Sequence, residues 1–181
     1  MLNKEQVDAY NEQGYIVLED VLSVELLQEL RKVTDEVVAS ASELDESSEL
    51  LDLEPDHTKD SPRVRRIKRP HLAHEFYRKL CAETCITDAL SALLGPNIRL
   101  RSGGKVNMKS ARFGSPVEWH QDWAFYPHTN DDVLAAGILL DDMDLDNGPL
   151  LVMPGTHRGP VYDHHSEGTF CGAMDPTSVD L

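Results

Sequence analysis

Gly95-Pro-Asn97 divides this chain into two kinds of sequence, and that division limits the fold more than any other feature. Ahead of it, apolar residues recur at helical spacing. Ser23 is a good N-cap, and Glu25 falls in the first turn, where the helix dipole favours an anion. Val24, Leu27, Leu30, Val33, Val37 and Val38 then approximate a helical period, predicting an amphipathic helix to about Ser42. Shorter helices are predicted at 3–13, closed by Gly14, and at 71–82 and 87–94. Strand-like runs at 15–18 and 63–68 interrupt them, although Val64 and Ile67 fit no single alternation. Behind the turn, 98–101, 104–110, 117–122, 133–140 and 150–153 are short strand candidates separated by Gly, Pro, Asn and Asp. Helices first and closely spaced strands afterwards predict an α+β chain whose second half is a sandwich or barrel. Its 181 residues suit one domain of ordinary size, 1–181.

Charge excludes several partners. With 17 basic against 32 acidic side chains, the chain carries −15, whereas nucleic acids and anionic membranes require a positive footprint. No apolar run approaches the roughly 18 residues of a membrane span, and the opening MLNKEQVDAYNEQ has no apolar signal region. Three cysteines form neither a disulfide framework nor a metal-knuckle spacing, which fits a reducing cytosol. The expectation is a soluble, cytoplasmic protein. Residues 43–62 are the composition break: eight carboxylates and Pro55 with little periodicity, predicting an exposed mobile loop. The basic cluster that follows, at 63–68, reads as a solvated strand face.

Chemistry concentrates in Val117-Glu-Trp-His-Gln-Asp-Trp123. On a strand, residues i and i+2 share a face, so His120 and Asp122 project together while Gln121 points away. An imidazole nitrogen and a carboxylate oxygen on one face are two ligands of the 2-His-1-carboxylate triad of non-haem Fe(II) oxygenases. Alone, His-x-Asp is a weak signal, since a half-exposed histidine beside an aspartate is common. Asp142-Met-Asp-Leu-Asp-Asn-Gly148 hints at a calcium loop, but its glycine is one place late and position twelve is Met153, so it reads as an acidic turn.

The ordered set of Asn107-Met-Lys109, Glu118-Trp-His-Gln-Asp-Trp123, Asp146-Asn-Gly-Pro149 and Met153-Pro-Gly-Thr-His-Arg-Gly159 resembles the phytanoyl-CoA dioxygenase family. Gly14-Tyr-Ile-Val-Leu-Glu-Asp-Val-Leu22 and Gly95-Pro-Asn97 are similar to its earlier segments. The resemblance implies N-terminal helices packed on a double-stranded β-helix of the jelly-roll or cupin kind. It implies Fe(II) held by His120, Asp122 and a later histidine, with 2-oxoglutarate as co-substrate and ascorbate as an auxiliary reductant. An aliphatic carbon of a small molecule or acyl substrate would be hydroxylated, with release of succinate and CO2. Asp122 stands where related halogenases carry a small residue, which favours hydroxylation. For the 2-oxoglutarate contacts, the resemblance points to Arg63, Lys105 and Lys109; surface lysines on a sheet edge are the alternative for the last two. Trp123, Phe125 and Tyr126 either line the substrate mouth or pack in the core.

In the family a distal histidine ligand and a 2-oxoglutarate-anchoring arginine lie well past the Pro-Gly-Thr-His motif. Here His157 belongs to that turn, and His164 and His165 fall in a polar stretch. Residues 175–181 read as the approach to further strands. The expectation is therefore an oxygenase lacking its late strands and inactive as these 181 residues. The second hypothesis is a non-catalytic relative that binds a small molecule or a protein partner, its open sheet completed by dimerisation; the sequence leaves the oligomeric state open.

Overall fold

The computed structural model describes residues 2–101, 103–110, 114, 116–126, 128–175 and 177. They gather into two compact units, one built on residues 18–115 with 139–149, the other on 2–17, 116–138 and 150–181.

In the first unit the longest helix is α2 (Val24–Ala39), which starts where Ser23 accepts the Leu26 N–H and runs into a 3-10 turn, Ser40–Glu43. Leu30, Val33 and Thr34 form its buried stripe. Thr34 Oγ1 donates to Leu30 O at 2.8 Å and meets the Tyr77 hydroxyl at 2.9 Å, so both buried hydroxyls are satisfied. The predicted helix at 71–82 is two helices, α3 (Pro70–Ala73) and α4 (Glu75–Leu80), broken at His74. His74 is extended and its ring accepts the Phe76 N–H, which makes it the N-cap of α4. Helix α5 (Thr84–Leu94) begins three residues earlier than its apolar spacing indicates.

The acidic stretch is not simply a loop. Strand β1 (Leu51–Leu53) lies inside it and pairs antiparallel with β2 (Val64–Ile67), which pairs in turn with β3 (Val106–Asn107). The physical reason is that the acidic and basic runs neutralise each other across the ladder. Asp52 stands 3.0 Å from Lys68 and 3.9 Å from Arg66, while Asp45 pairs with Lys59, Asp56 with Arg63 and Glu49 with Arg69. Leu51 and Ile67 meet in the core. A bulge explains the irregular apolar spacing of β2: Asp52 faces Arg66 and Leu53 faces Val64, leaving Arg65 as the extra residue. The added residue turns Val64 and Ile67, three apart, to the same buried side.

The second unit is sparser in regular structure. Helix α1 (Lys4–Gln13) carries a capping box, Asn3 with Gln6, and ends at Gly14 with φ +83°. Its last turn has no basic residue, and its free carbonyls are met from elsewhere in the unit. Gly155 N–H donates to Gln13 O at 2.7 Å, while His157 Nε2 and Arg158 Nη2 reach Asn11 O at 3.1 and 2.6 Å. Strands β4 (His165–Ser166) and β5 (Thr169–Phe170) form a hairpin around Glu167 and Gly168, both with positive φ.

Of the strand candidates behind Gly95, only the centre of 104–110 is a strand among the described residues, as β3. Segments 15–18, 98–101, 117–122, 133–140 and 150–153 have no ladder there. A strand is defined by a paired neighbour, and these runs have none among the described residues; Leu150, Leu151 and Val152 are exposed. Of 175–181, residues 176 and 178–181 lie outside the described residues. No described helix is long and apolar enough to cross a membrane.

Candidate metal centre

His120 and Asp122 sit in the second unit. They are not on a strand: Asp122 opens a single 3-10 turn, Asp122–Phe125, with Gln121 as its cap. Gln121 is nonetheless extended, with φ −114° and ψ 123°. With that residue extended between them, His120 Nε2 and Asp122 Oδ1 stand 3.4 Å apart, so the i, i+2 relation survives without a ladder.

His120 Nδ1 lies 2.8 Å from Glu118 O, and because a carbonyl only accepts, Nδ1 carries the hydrogen. In the neutral ring Nε2 then presents a lone pair, and it stands 3.4 Å from Asp122 Oδ1. Two lone-pair atoms converging in this way repel unless a proton or a cation lies between them. With bonds of about 2.1 Å, adjacent ligands of an octahedral metal stand about 3 Å apart, so the pair fits two neighbouring positions of one ion. A ligand imidazole whose second nitrogen donates to a backbone carbonyl is the usual support of such a site.

The surroundings are aromatic. The Phe125 ring meets His120 edge-on at 5.7 Å between centroids, Phe170 at 5.2 Å and His164 at 6.3 Å. Gly172, at φ +71°, lets the chain pass against Phe125: a Cβ there would stand 2.7 Å from its Cζ. The Trp123 indole N–H is buried and finds no acceptor among the described residues.

The four further histidines in this unit are already engaged, His128 with Tyr126 O. His157 serves the end of α1, as described above. His165 Nδ1 bonds Asp163 Oδ1 at 2.6 Å; this side-chain bond, with the His165 backbone N–H, holds the Asp163 carboxyl below its usual range. His164, 2% exposed, has both nitrogens bonded, to Gln121 N and Tyr162 O. Among the described residues no third His, Cys, Asp or Glu joins His120 and Asp122.

The three cations assigned to 2-oxoglutarate lie in the first unit. Arg63 Nε is 3.1 Å from Asp56 Oδ2. Lys109 Nζ donates to Gly148 O at 2.9 Å, holding the Asp146-Asn-Gly turn, where Gly148 has φ +74°. That turn spends its oxygens on itself: Asp144 Oδ1 accepts from Asp146 N and Asn147 N, and Asn147 Oδ1 accepts from Asp144 N. Lys105 is exposed and has no ion pair among the described residues. The sequence reading misses Tyr162 and Gly172 as parts of the site, sets His164 aside as a poor candidate for the distal ligand, and has Gln121 only pointing away from the pair.

The sequence profile described as Phytanoyl-CoA dioxygenase (PhyH) matches residues 10–174. A probable alpha-ketoglutarate-dependent hypophosphite dioxygenase of Stutzerimonas stutzeri is 37% identical over 97% of this chain and 62% of its own length. An ectoine dioxygenase of Sphingopyxis alaskensis is 29% identical over 87% of this chain and 50% of its own. The L-proline trans-4-hydroxylase of Streptomyces griseoviridis is 38% identical over 54% of this chain and 39% of its own. The chain thus spans between about two-fifths and three-fifths of the length of these relatives.

Proposed function

The chain belongs to the phytanoyl-CoA dioxygenase family, and on that premise we propose that it carries the metal motif of an Fe(II)- and 2-oxoglutarate-dependent dioxygenase acting on a small molecule. The observation that carries the reading is the convergence of His120 Nε2 and Asp122 Oδ1 at 3.4 Å, with Nδ1 held by Glu118 O. Iron bound there would supply the coupling of dioxygen to the oxidative decarboxylation of 2-oxoglutarate, with succinate and CO2 as products. His120 offers a neutral donor and Asp122 an anionic one, and Glu118 O fixes the tautomer that keeps Nε2 free. The jelly-roll architecture belongs to the same proposal, supported by the family and by the antiparallel pairing of β1, β2 and β3.

For the 2-oxoglutarate carboxylates we assign Lys105 first, because Arg63 and Lys109 already serve Asp56 and Gly148. The substrate class is kept at a small polar molecule. Hydroxylation of an aliphatic carbon suits the ectoine and proline relatives, but the hypophosphite relative is named for a substrate with no carbon.

Titration of anaerobic apoprotein with Co(II), read by its visible d–d bands, tests the reading. The expected result is 1:1 binding that His120→Ala and Asp122→Ala both abolish and that 2-oxoglutarate tightens. Affinity unchanged in either alanine variant would overturn it. Among the described residues the site has two protein ligands, and we expect the 181 residues alone to form no succinate; succinate production lost in His120→Ala would refute that part.

A further inference from the structure

Gln121 is held on both its backbone and its side chain by one stretch of chain some forty residues later. Its N–H donates to His164 Nε2 at 2.9 Å, its side-chain amide donates to Pro160 O at 3.0 Å, and its Oε1 accepts the Tyr162 N–H at 2.7 Å. His164 is itself fixed. Nε2 accepts from Gln121 and so carries no hydrogen; Nδ1 carries it and donates to Tyr162 O at 2.8 Å. The ring is 2% exposed and stacked against Phe170 at 6.5 Å and 23°. Its own carbonyl accepts the Cys171 and Gly172 N–H groups, and Trp119 O accepts the Met174 N–H, so both sides of the arrangement are anchored.

We infer that His164 is a positioning residue for the His120–Asp122 pair, acting through the backbone of Gln121. The inference rests on the metal reading above and deepens it. Gln121 is the residue whose extended conformation brings its two neighbours to one side, and a peptide rotation there would swing His120 and Asp122 apart. The acceptor that holds that peptide is a neutral imidazole nitrogen inside an aromatic pocket, where an unmatched N–H is costly. Being spent on the Gln121 N–H, His164 Nε2 has no lone pair to offer a metal, so His164 supports the pair rather than joining it. Loss of a group that orients metal ligands typically weakens metal binding by about 10–100-fold.

Two substitutions separate the hydrogen bond from the packing. His164→Phe keeps an aromatic ring against Phe125 and Phe170 but has no acceptor. His164→Gln gives up the ring but places Oε1 near the position of Nε2. With anaerobic Co(II) as probe, His164→Phe is expected to bind at least about tenfold more weakly, and His164→Gln to recover most of that loss. In the metal-free wild type, the ring 15N shifts of His164 should report hydrogen on Nδ1 and none on Nε2. Equal Co(II) affinity in wild type and His164→Phe overturns the inference, since a ring without an acceptor would then suffice, as does equal weakening in both variants, which would mean that restoring the acceptor makes no difference. A His164 ring protonated on Nε2 also overturns it, whatever the metal does. A wild type that binds no Co(II) overturns the metal reading together with the positioning role; binding lost in His120→Ala but indifferent to His164 overturns the positioning role alone.

Discussion

Replacing Gly172 by alanine probes the packing under His120 through two separable costs. At φ +71° an L-residue occupies left-handed space at a cost of roughly 1–2 kcal/mol. The new Cβ would also stand 2.7 Å from Phe125 Cζ and 2.9 Å from Cε1. Carbon atoms pack best at about 3.5–4.0 Å, so the ring must retreat by about 0.8 Å, and overpacking of this kind costs typically about 1–3 kcal/mol. The expected total for Gly172→Ala is about 2–5 kcal/mol in urea unfolding. Made in a Phe125→Leu background, the same substitution meets no ring edge and keeps only its conformational cost. A double-mutant cycle should therefore show a coupling of about 1–3 kcal/mol. Because Phe125 lies edge-on to His120 at 5.7 Å, Gly172→Ala should also weaken Co(II) binding. Additivity within about 0.5 kcal/mol would refute the Phe125 contact. A cost for Gly172→Ala below about 0.5 kcal/mol would refute the left-handed conformation as well.

Other parts of the chain carry sharper signs than magnitudes. Thr34→Val should destabilise by about 1–3 kcal/mol because it leaves the buried Tyr77 hydroxyl without its partner, and Tyr77→Phe by only about 1 kcal/mol, since Thr34 keeps its bond to Leu30 O; equal costs in urea unfolding would count against the pairing. Burial raises the Tyr77 pKa above its ordinary value near 10, so stability should be full below about pH 10 and fall as the pH rises through the folded-state value, with a gentler fall in Tyr77→Phe. Asp52→Asn removes a partly exposed partner of Lys68 and Arg66, so a loss of no more than about 1 kcal/mol is expected, shrinking in high salt; a salt-independent loss would point to something other than the ion pairs.

How much of this was legible depends on how far each feature reaches along the chain. Helices α1 and α2 were visible because their caps, Asn3 with Gly14 and Ser23, act within four residues. The break at His74 is also local, but a histidine cap leaves no strong mark in a pattern of apolar spacing. Strand β1 was hidden because the carboxylates around Leu51 and Leu53 made the stretch look like a solvated loop. Its partners in and just after β2, Ile67 for the core and Arg66 and Lys68 for the charge, lie more than a dozen residues away. The spacing of Val64 and Ile67, puzzling in isolation, follows from the bulge at Arg65, a property of two strands together. For 117–122, 133–140 and 150–153, alternation describes only half of a ladder, and the other half is not found among the described residues.

The His120–Asp122 pair divides along the same line. Its existence was readable because the two ligand types stand two residues apart, and an extended Gln121 between them lets that spacing converge here without a strand. Its precision was not readable, because that depends on Pro160, Tyr162 and His164, which share no local pattern with the motif. The consequence bears on metal affinity. Two ligands from one tripeptide give a weak site if the peptide between them turns freely, since the ion must then bear the entropy of ordering it. Here Gln121 is ordered by three hydrogen bonds, and Nε2 and Oδ1 already stand near the separation that one ion requires. Affinity at such a site is governed by the rigidity of the middle residue as much as by the identity of the ligands. A substitution at His164, which need touch no metal, should therefore move binding in the same direction as a substitution at His120, only less far.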